Sequence, residues 1–498
     1  MTRTPTSRSP FTRTTLVVAL ASLLSLGTSQ ALAQTTQEVE QQLQQAAPSA
    51  EQAAQQAAQI TQQGAQQVGQ AVQSNAAQAG QQAAQQNAPQ AAQLSAIVQR
   101  AAAPVSAQQA STALSSSGMD GLLQDLLKLP DLHWGSRYID VLRPSTRISN
   151  GGVEASALPS ASVDLNSVTF TGSDGKEVSL EQWQKNTATD GLVVLHRGQL
   201  VYERYDHGQT QQARHILWSA TKSVAGLLTL DMIQAGQIDP SAPIAHYLPE
   251  LKGSAWEDAT VQQTLDMSTA VDYAEEPLAN PGVVQYMFAG NILPSDQSYP
   301  GARTVVDFLK SLKKKGEHGQ RFTYKSVDTE VIGLLLEKVT GKDFATLVSE
   351  RLWKPMGAQQ DATVLKDRTG VALKGSGMSS SLRDLARVGE LVRLEGRFNG
   401  KQLLQPGTVA ELKKGGDPAV FKAGRGNARD GSSYHDFWWI AQSQDGTLEA
   451  RGLAGQHIYV DQANELVVAK FSADAKLNPT PGIDQNAFAA IANAVKGR

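Results

Sequence analysis

Apolar and polar positions divide the chain into three stretches of different character. The first holds Leu16-Val-Val-Ala-Leu-Ala-Ser-Leu-Leu-Ser-Leu26, preceded by Arg3, Arg8 and Arg13 and followed by Ala31-Leu-Ala33. A basic start, an apolar centre too short to span a bilayer comfortably and a small-residue end predict a secretory signal peptide over residues 1–33, cut after Ala33. From 34 to about 118 Gln, Ala and Ser dominate, and the large apolar residues Ile60, Val68, Val72, Leu94, Ile97 and Val98 follow no sustained heptad. Such a stretch buries too little surface to offset the entropy of ordering it, so a Gln/Ala-rich tether is expected, with transient helix interrupted near Pro48 and Pro89. A coiled-coil arm is the rival reading, and the missing heptad weighs against it.

Ordinary globular patterning occupies the third stretch, 119–498. Leu122 to Leu129 reads as a short helix or apolar clasp. Gly191 to Tyr205 contains two β-rich runs around Arg197-Gly198, which predicts a hairpin. Val224, Leu227, Leu228, Leu230 and Ile233 then recur at helical spacing, predicting a helix whose first turn holds Ser219 and which ends near Gly236. Residues 237–320 alternate short helices (242–248, 261–267, 304–312) with loops at 272–277 and 291–303, as a mostly helical subdomain forming one wall of a cleft would. Helices follow at 329–339, 343–352 and 385–394, the last behind the capping pattern Ser379-Ser-Ser381-Leu-Arg-Asp384. The pattern returns to strands at 437–440, 455–460 and 465–471, the last two joined as a hairpin, before a final helix at 485–495. Strands at both ends with helices between them predict an α+β fold: a mainly antiparallel sheet flanked by helices.

Composition narrows the chemistry. The chain has no cysteine, so an exported form must rely on an apolar core and cannot use thiolate chemistry. A net charge of −3 gives no general attraction to nucleic acid or anionic lipid. No later run is long and apolar enough to span a bilayer, so no stable membrane insertion is expected after signal cleavage, and the expected location is periplasmic or secreted. The eight histidines include no pair three or four apart on a helix, so neither a metal nor another cofactor is expected.

One short motif carries reactive chemistry. Ser219-Ala-Thr-Lys222 places a hydroxyl and an amine on one helix face, beside the unpaired amides of a helix N-terminus. Ser173-x-x-Lys176 and Ser311-x-x-Lys314 match the same pattern, but the first sits in a turn signal and the second in a lysine run, so both read as surface. A serine hydroxyl is a weak nucleophile until a base takes its proton, and lysine serves only if burial or nearby positive charge lowers its pKa from about 10.4.

Ser219-x-x-Lys222, Tyr324-x-Ser326 and Gly452-Leu-Ala-Gly455-Gln456-His457 follow one another in an order that resembles the serine beta-lactamase and penicillin-binding-protein superfamily. The similarity is to its class C-like and esterase-like branch, and within that to the 6-aminohexanoate-dimer hydrolases. It covers roughly 192–495 and includes Trp218, Asp266-Met-Ser268 and Gly375-Ser-Gly-Met-Ser-Ser. The resemblance implies a helical subdomain beside a sheet of about five antiparallel strands, with Ser219 acylated and Lys222 and Tyr324 as proton-transfer groups, the base being either one. Lys325 is read as a solvated neighbour. Ser326 belongs either to the hydrogen-bond network or to a helix cap. The oxyanion needs two donors, expected from the Ser219 amide and from the amide of Gln456 or His457, with Gly455 admitting substrate close to the backbone.

Gly455-Gln-His stands where beta-lactamases and penicillin-binding proteins usually carry Lys-Thr-Gly. That departure favours a small amide, an amide oligomer or an ester as substrate. A carboxylesterase or weak beta-lactamase of the same fold is the nearest alternative, and an inactive module that binds peptidoglycan or a partner is the alternative from another class.

Overall fold

The computed structural model describes residues 132–496 apart from 173, 276–279, 294–298, 427, 442–446 and 477–481. The expected signal peptide, the Gln/Ala tether and the Leu122–Leu129 segment lie outside the described residues.

In chain order the elements begin with α1 (Leu132–Leu142), β1 (Ser145–Ile148), β2 (Thr169–Thr171), β3 (Glu177–Ser179) and α2 (Leu180–Asn186). The hairpin β4 (Thr189–His196) and β5 (Gln199–Tyr205) leads through β6 (His215–Ile216) into α3 (Ala220–Gln234). A helical region follows: α4 (Ile244–Tyr247), α5 (Val261–Leu265), α6 (Pro281–Ala289), α7 (Val305–Ser311), α8 (Ser326–Thr340) and α9 (Phe344–Val348). Then come β7 (Ala362–Leu365), β8 (Met378–Ser380), α10 (Leu382–Arg393), β9 (Arg397–Phe398), β10 (Lys401–Gln402), α11 (Thr408–Lys414) and α12 (Pro418–Gly424). The C-terminal part is β11 (Ser433–His435), β12 (Trp438–Ile440), β13 (Thr447–Gly452), β14 (Gln456–Asp461), β15 (Leu466–Ser472) and α13 (Ile483–Val495).

The main sheet has seven antiparallel strands in the order β11-β12-β13-β14-β15-β4-β5, two more than expected. Its hairpins come from opposite ends of the chain, and β15 closes it by pairing with β4, Val468 opposite Val194. Period-2 alternation divides the sheet between two cores. Val193, Leu195, Ile458, Val460, Val467 and Ala469 face α3 and α10, whereas Leu192, Val194, Tyr459, Leu466 and Val468 face α2 and α13. Cover on both faces explains why all eight residues of β4 are buried, and why its centre, Leu192 to Leu195, reads as a continuous apolar run.

Helix α3 is apolar nearly all round because it lies inside the domain, and its residues from Ala220 to Met232 are buried. Gly226 permits its close seating: a Cβ there would stand 1.9 Å from the Asp436 carbonyl oxygen. Helix α10 starts at the cap Ser381, which accepts from the Asp384 amide, as the capping pattern anticipated. A four-stranded sheet, β1-β7-β8-β6, holds the lead-in to α3: Ile216 pairs with Ser379 and the Leu217 amide donates to the Met378 carbonyl at 2.8 Å. No helix among the described residues is long and apolar enough to cross a membrane.

Candidate active site

Ser219 occupies the position just before α3, half-buried, and its hydroxyl makes no capping bond. It accepts instead from Lys222 Nζ at 2.9 Å, and the same ammonium donates to the Gly375 carbonyl at 2.6 Å. Trp218, immediately before it, has φ 46°, a strained conformation for an aromatic residue that makes a sharp turn from β6 into the helix. Lys222 is wholly buried, and burial lowers its pKa from 10.5 to about 8 against the opposing pull of the Glu275 and Glu330 carboxylates. An amine of that pKa exists partly as free base near neutrality and can accept the Ser219 proton.

Tyr324 lies on the other side of the ammonium, its ring centroid 5.0 Å from Lys222 Nζ. The ring stacks on Trp439 of β12 (5.6 Å, 20°) and meets Tyr434 of β11 edge-on (6.1 Å, 78°). These strands extend the sheet beyond the expected five, and they form the wall that orients the tyrosine. Its backbone is fixed from below, since the Thr323 amide donates to the Met267 carbonyl at 2.9 Å. Met267 itself is buried with φ 51°.

Lys325 is not solvated. It is fully buried, donates to the Thr323 carbonyl at 2.9 Å and stands 3.9 Å from Asp328 Oδ2. Asp328 in turn accepts from Trp256 Nε1 at 2.8 Å and Thr269 Oγ1 at 2.7 Å. The lysine is therefore a buried pin for the turn that presents Tyr324.

Two buried carboxylates complete the surroundings of Lys222. Glu275, from the loop before α6, accepts the Ser326 hydroxyl at 3.1 Å, the Tyr273 hydroxyl at 2.9 Å and the Ser326 amide, and so fills the N-terminus of α8. Ser326 is thus the first residue of α8 and a donor within the network. Glu330, one turn further along, accepts from the Tyr286 hydroxyl at 2.6 Å and the Gly375 amide at 2.8 Å, and burial raises its pKa. By holding the Gly375 amide, Glu330 fixes the carbonyl that receives Lys222. Neither glutamate was singled out from sequence; Glu275 lies in an expected loop, and Glu330 in an expected helix whose buried face sequence did not reveal.

The third motif lies one strand away from its anticipated contact. Gln456 and His457 begin β14, whereas the strand end beside Ser219 is that of β13: a Cβ on Gly452 would come within 2.1 Å of the Leu217 carbonyl oxygen. Gln456 clamps the turn between the two strands, its Nε2 donating to the carbonyls of Leu453 at 3.0 Å and Ser472 at 2.6 Å. Gly455 has φ 95° and faces Ser472, so it serves the turn rather than the approach of substrate. The His457 ring points to the α13 face, edge-on to Phe488 and 3.3 Å from Asp484 Oδ2, away from Ser219. Of the rival Ser-x-x-Lys matches, Ser311 is exposed, Lys314 pairs with Asp258 at 2.6 Å, and Ser173 lies outside the described residues.

A helical region beside a two-faced antiparallel sheet, with a serine and a buried lysine at the first turn of the helix between them, defines a hydrolase of the serine amidase/esterase type. The chain belongs to the Beta-lactamase family, whose model matches residues 177–492. Within that family it is similar to the 6-aminohexanoate-dimer hydrolase of Paenarthrobacter ureafaciens, 30% identical over 353 residues that make up 69% of this chain and 86% of the relative. The solved structure titled "Putative 6-aminohexanoate-dimer hydrolase from Bacillus anthracis" shares 30% identity at a TM-score of 0.69, covering 74% of this chain and 96% of that one.

Proposed function

We propose that this protein is an exported serine hydrolase that cleaves a small amide, an amide oligomer or an ester through an acyl-enzyme on Ser219. The hydrogen bond from fully buried Lys222 to Ser219 Oγ, at 2.9 Å, carries the reading. In the free-base form Lys222 takes the hydroxyl proton as Oγ attacks the carbonyl carbon. The oxyanion receives the Ser219 amide and, in place of Gln456 or His457, the Leu453 amide just after β13, because that strand end abuts the Leu217 carbonyl and β14 is the next strand of the sheet. As the C–N or C–O bond breaks, the proton reaches the leaving group through Tyr324, beside which the ammonium lies. Water then repeats the cycle on the acyl-enzyme with the same groups.

An amine leaving group needs that proton more than an alkoxide does, so an oriented Tyr324 favours amides. The relatives' name points to linear aminohexanoate amides as the first substrates to try, and the stretch 1–33 supports export. The test is turnover by the mature protein of an aminohexanoate dimer, a short-chain p-nitrophenyl ester and a chromogenic cephalosporin. The proposal expects amide or ester turnover well above cephalosporin turnover, and loss of all of it in Ser219→Ala. Cephalosporin as the preferred substrate, or no turnover of any, would overturn it.

A further inference from the structure

Asp190, at the start of β4, is fully buried and gathers histidines from three separate parts of the chain. His133 of α1 and His207, in the connection after β5, both direct Nδ1 at its Oδ1, His207 from 3.3 Å, and the two rings stack with centroids 3.9 Å apart. His215 of β6 holds the other oxygen through Nε2 at 3.1 Å, while its Nδ1 lies 2.9 Å from the Ile216 carbonyl.

We propose that His133, Asp190 and His207 form a binding site for a late first-row divalent cation of the Zn2+ kind, which ties α1 to the sheet. The donor set is two imidazole nitrogens and one carboxylate oxygen, which such ions prefer. The three ligand atoms lie within 4.8 Å of one another. Ion-to-ligand distances of about 2.0–2.1 Å place tetrahedral ligand atoms roughly 3.3 Å apart, the separation already present for His207. His133 sits nearer the shared oxygen and draws back slightly to admit the ion. His215 supplies the outer hydrogen bond that orients a metal-bound carboxylate. The His207 side chain is 44% exposed and that of His133 21%, so an ion reaches the site without unfolding.

The cluster Asp266, His435 and Asp436 has similar composition, but its one imidazole already lies between the two carboxylates. His435 spends one ring nitrogen on Asp266 at 2.8 Å and the other on Asp436 at 3.2 Å, and Gln262 donates to both carboxylates. A proton on His435 serves there as the cation.

An ion at Asp190 would join α1, β4 and the β5–β6 connection, and through His215 stiffen β6, the short strand that leads to Ser219. The experiment titrates chelator-treated full-length protein with Zn2+ at pH 7.5, by calorimetry and by metal analysis after gel filtration, with thermal unfolding in parallel. The proposal expects one ion per chain and a Tm raised by Zn2+. His207→Gln, a change at an exposed side chain that leaves the fold intact, weakens binding more than about a hundredfold and abolishes the Tm rise. His215→Gln weakens it by roughly 10–100-fold, as outer-shell changes do. Absence of stoichiometric binding, binding that survives His207→Gln, or binding lost in His435→Gln instead would overturn the proposal.

Discussion

Lys222 offers a test in which stability and catalysis report one quantity. Its pKa is lowered from 10.5 to about 8 by burial, so folding carries a cost whenever the amine is charged. The fall from 10.5 to about 8, at about 1.36 kcal/mol per pH unit, is a cost of about 3 kcal/mol, present in full below pH 8 for this wholly buried group. Between pH 8 and 10.5 the folded protein has released the proton that the unfolded chain still holds, so stability rises with pH across that window and levels off above it. Denaturant unfolding of wild type and of Lys222→Met at steps from pH 7 to 11 measures this. The stability of wild type minus that of the variant should climb by about 3 kcal/mol between the two pKa values. In parallel, the rate of Ser219 acylation should rise with pH through an inflection near 8. Unfolding free energies that stay parallel for the two proteins, together with an acylation rate flat from pH 7 to 9, would refute the assignment of Lys222 as a buried base.

Tyr324→Phe keeps the stack on Trp439 but removes the hydroxyl, so amide turnover should fall by about 10²–10⁴, the range for a lost general acid, with ester turnover falling less; parallel assays on matched substrates check it. Glu330→Gln removes one of the two carboxylates that hold the Lys222 pKa up and weakens the bonds to Tyr286 and the Gly375 amide. The inflection in the acylation profile should move to lower pH, with a stability loss of about 1–3 kcal/mol in chemical denaturation. Gly226→Ala puts a methyl 1.9 Å from the Asp436 carbonyl oxygen, and the forced separation of α3 from that segment should cost about 3 kcal/mol or more, read as a lowered Tm with the Ser219 turn disturbed.

Apolar runs made α3 and β4 legible, because burial on every side leaves few polar positions within them, and the Arg197-Gly198 turn marked the hairpin to the less buried β5. The order of Ser219, Lys222 and Tyr324 was also readable, since each sits on or next to a strongly patterned element. Strand β13 escaped notice for a physical reason. Its Glu449 and Arg451 look like solvent-facing charges, yet Glu449 is fully buried and accepts two bonds from the Arg451 guanidinium, at 2.8 and 3.0 Å. Lys325 misled in the same way, as a charge whose burial is made possible by Asp328, a residue that also reads as polar surface. Glu275 and Glu330 act on Lys222 only after the loop before α6 and the first turns of α8 are brought together, and local spacing does not encode that meeting. The three histidines around Asp190 show the same limit: they come from one helix, one connection and one short strand.

The acyl-enzyme on Ser219 is the central claim, and a mass measurement tests it directly. Mature protein is treated with a fluorophosphonate, or quenched during turnover of a slowly hydrolysed ester, and then digested and mapped. The account predicts one added mass per chain, confined to the peptide that contains Ser219 and absent from Ser219→Ala, which no longer turns over substrate. An adduct on another residue, or undiminished turnover by Ser219→Ala, would contradict it.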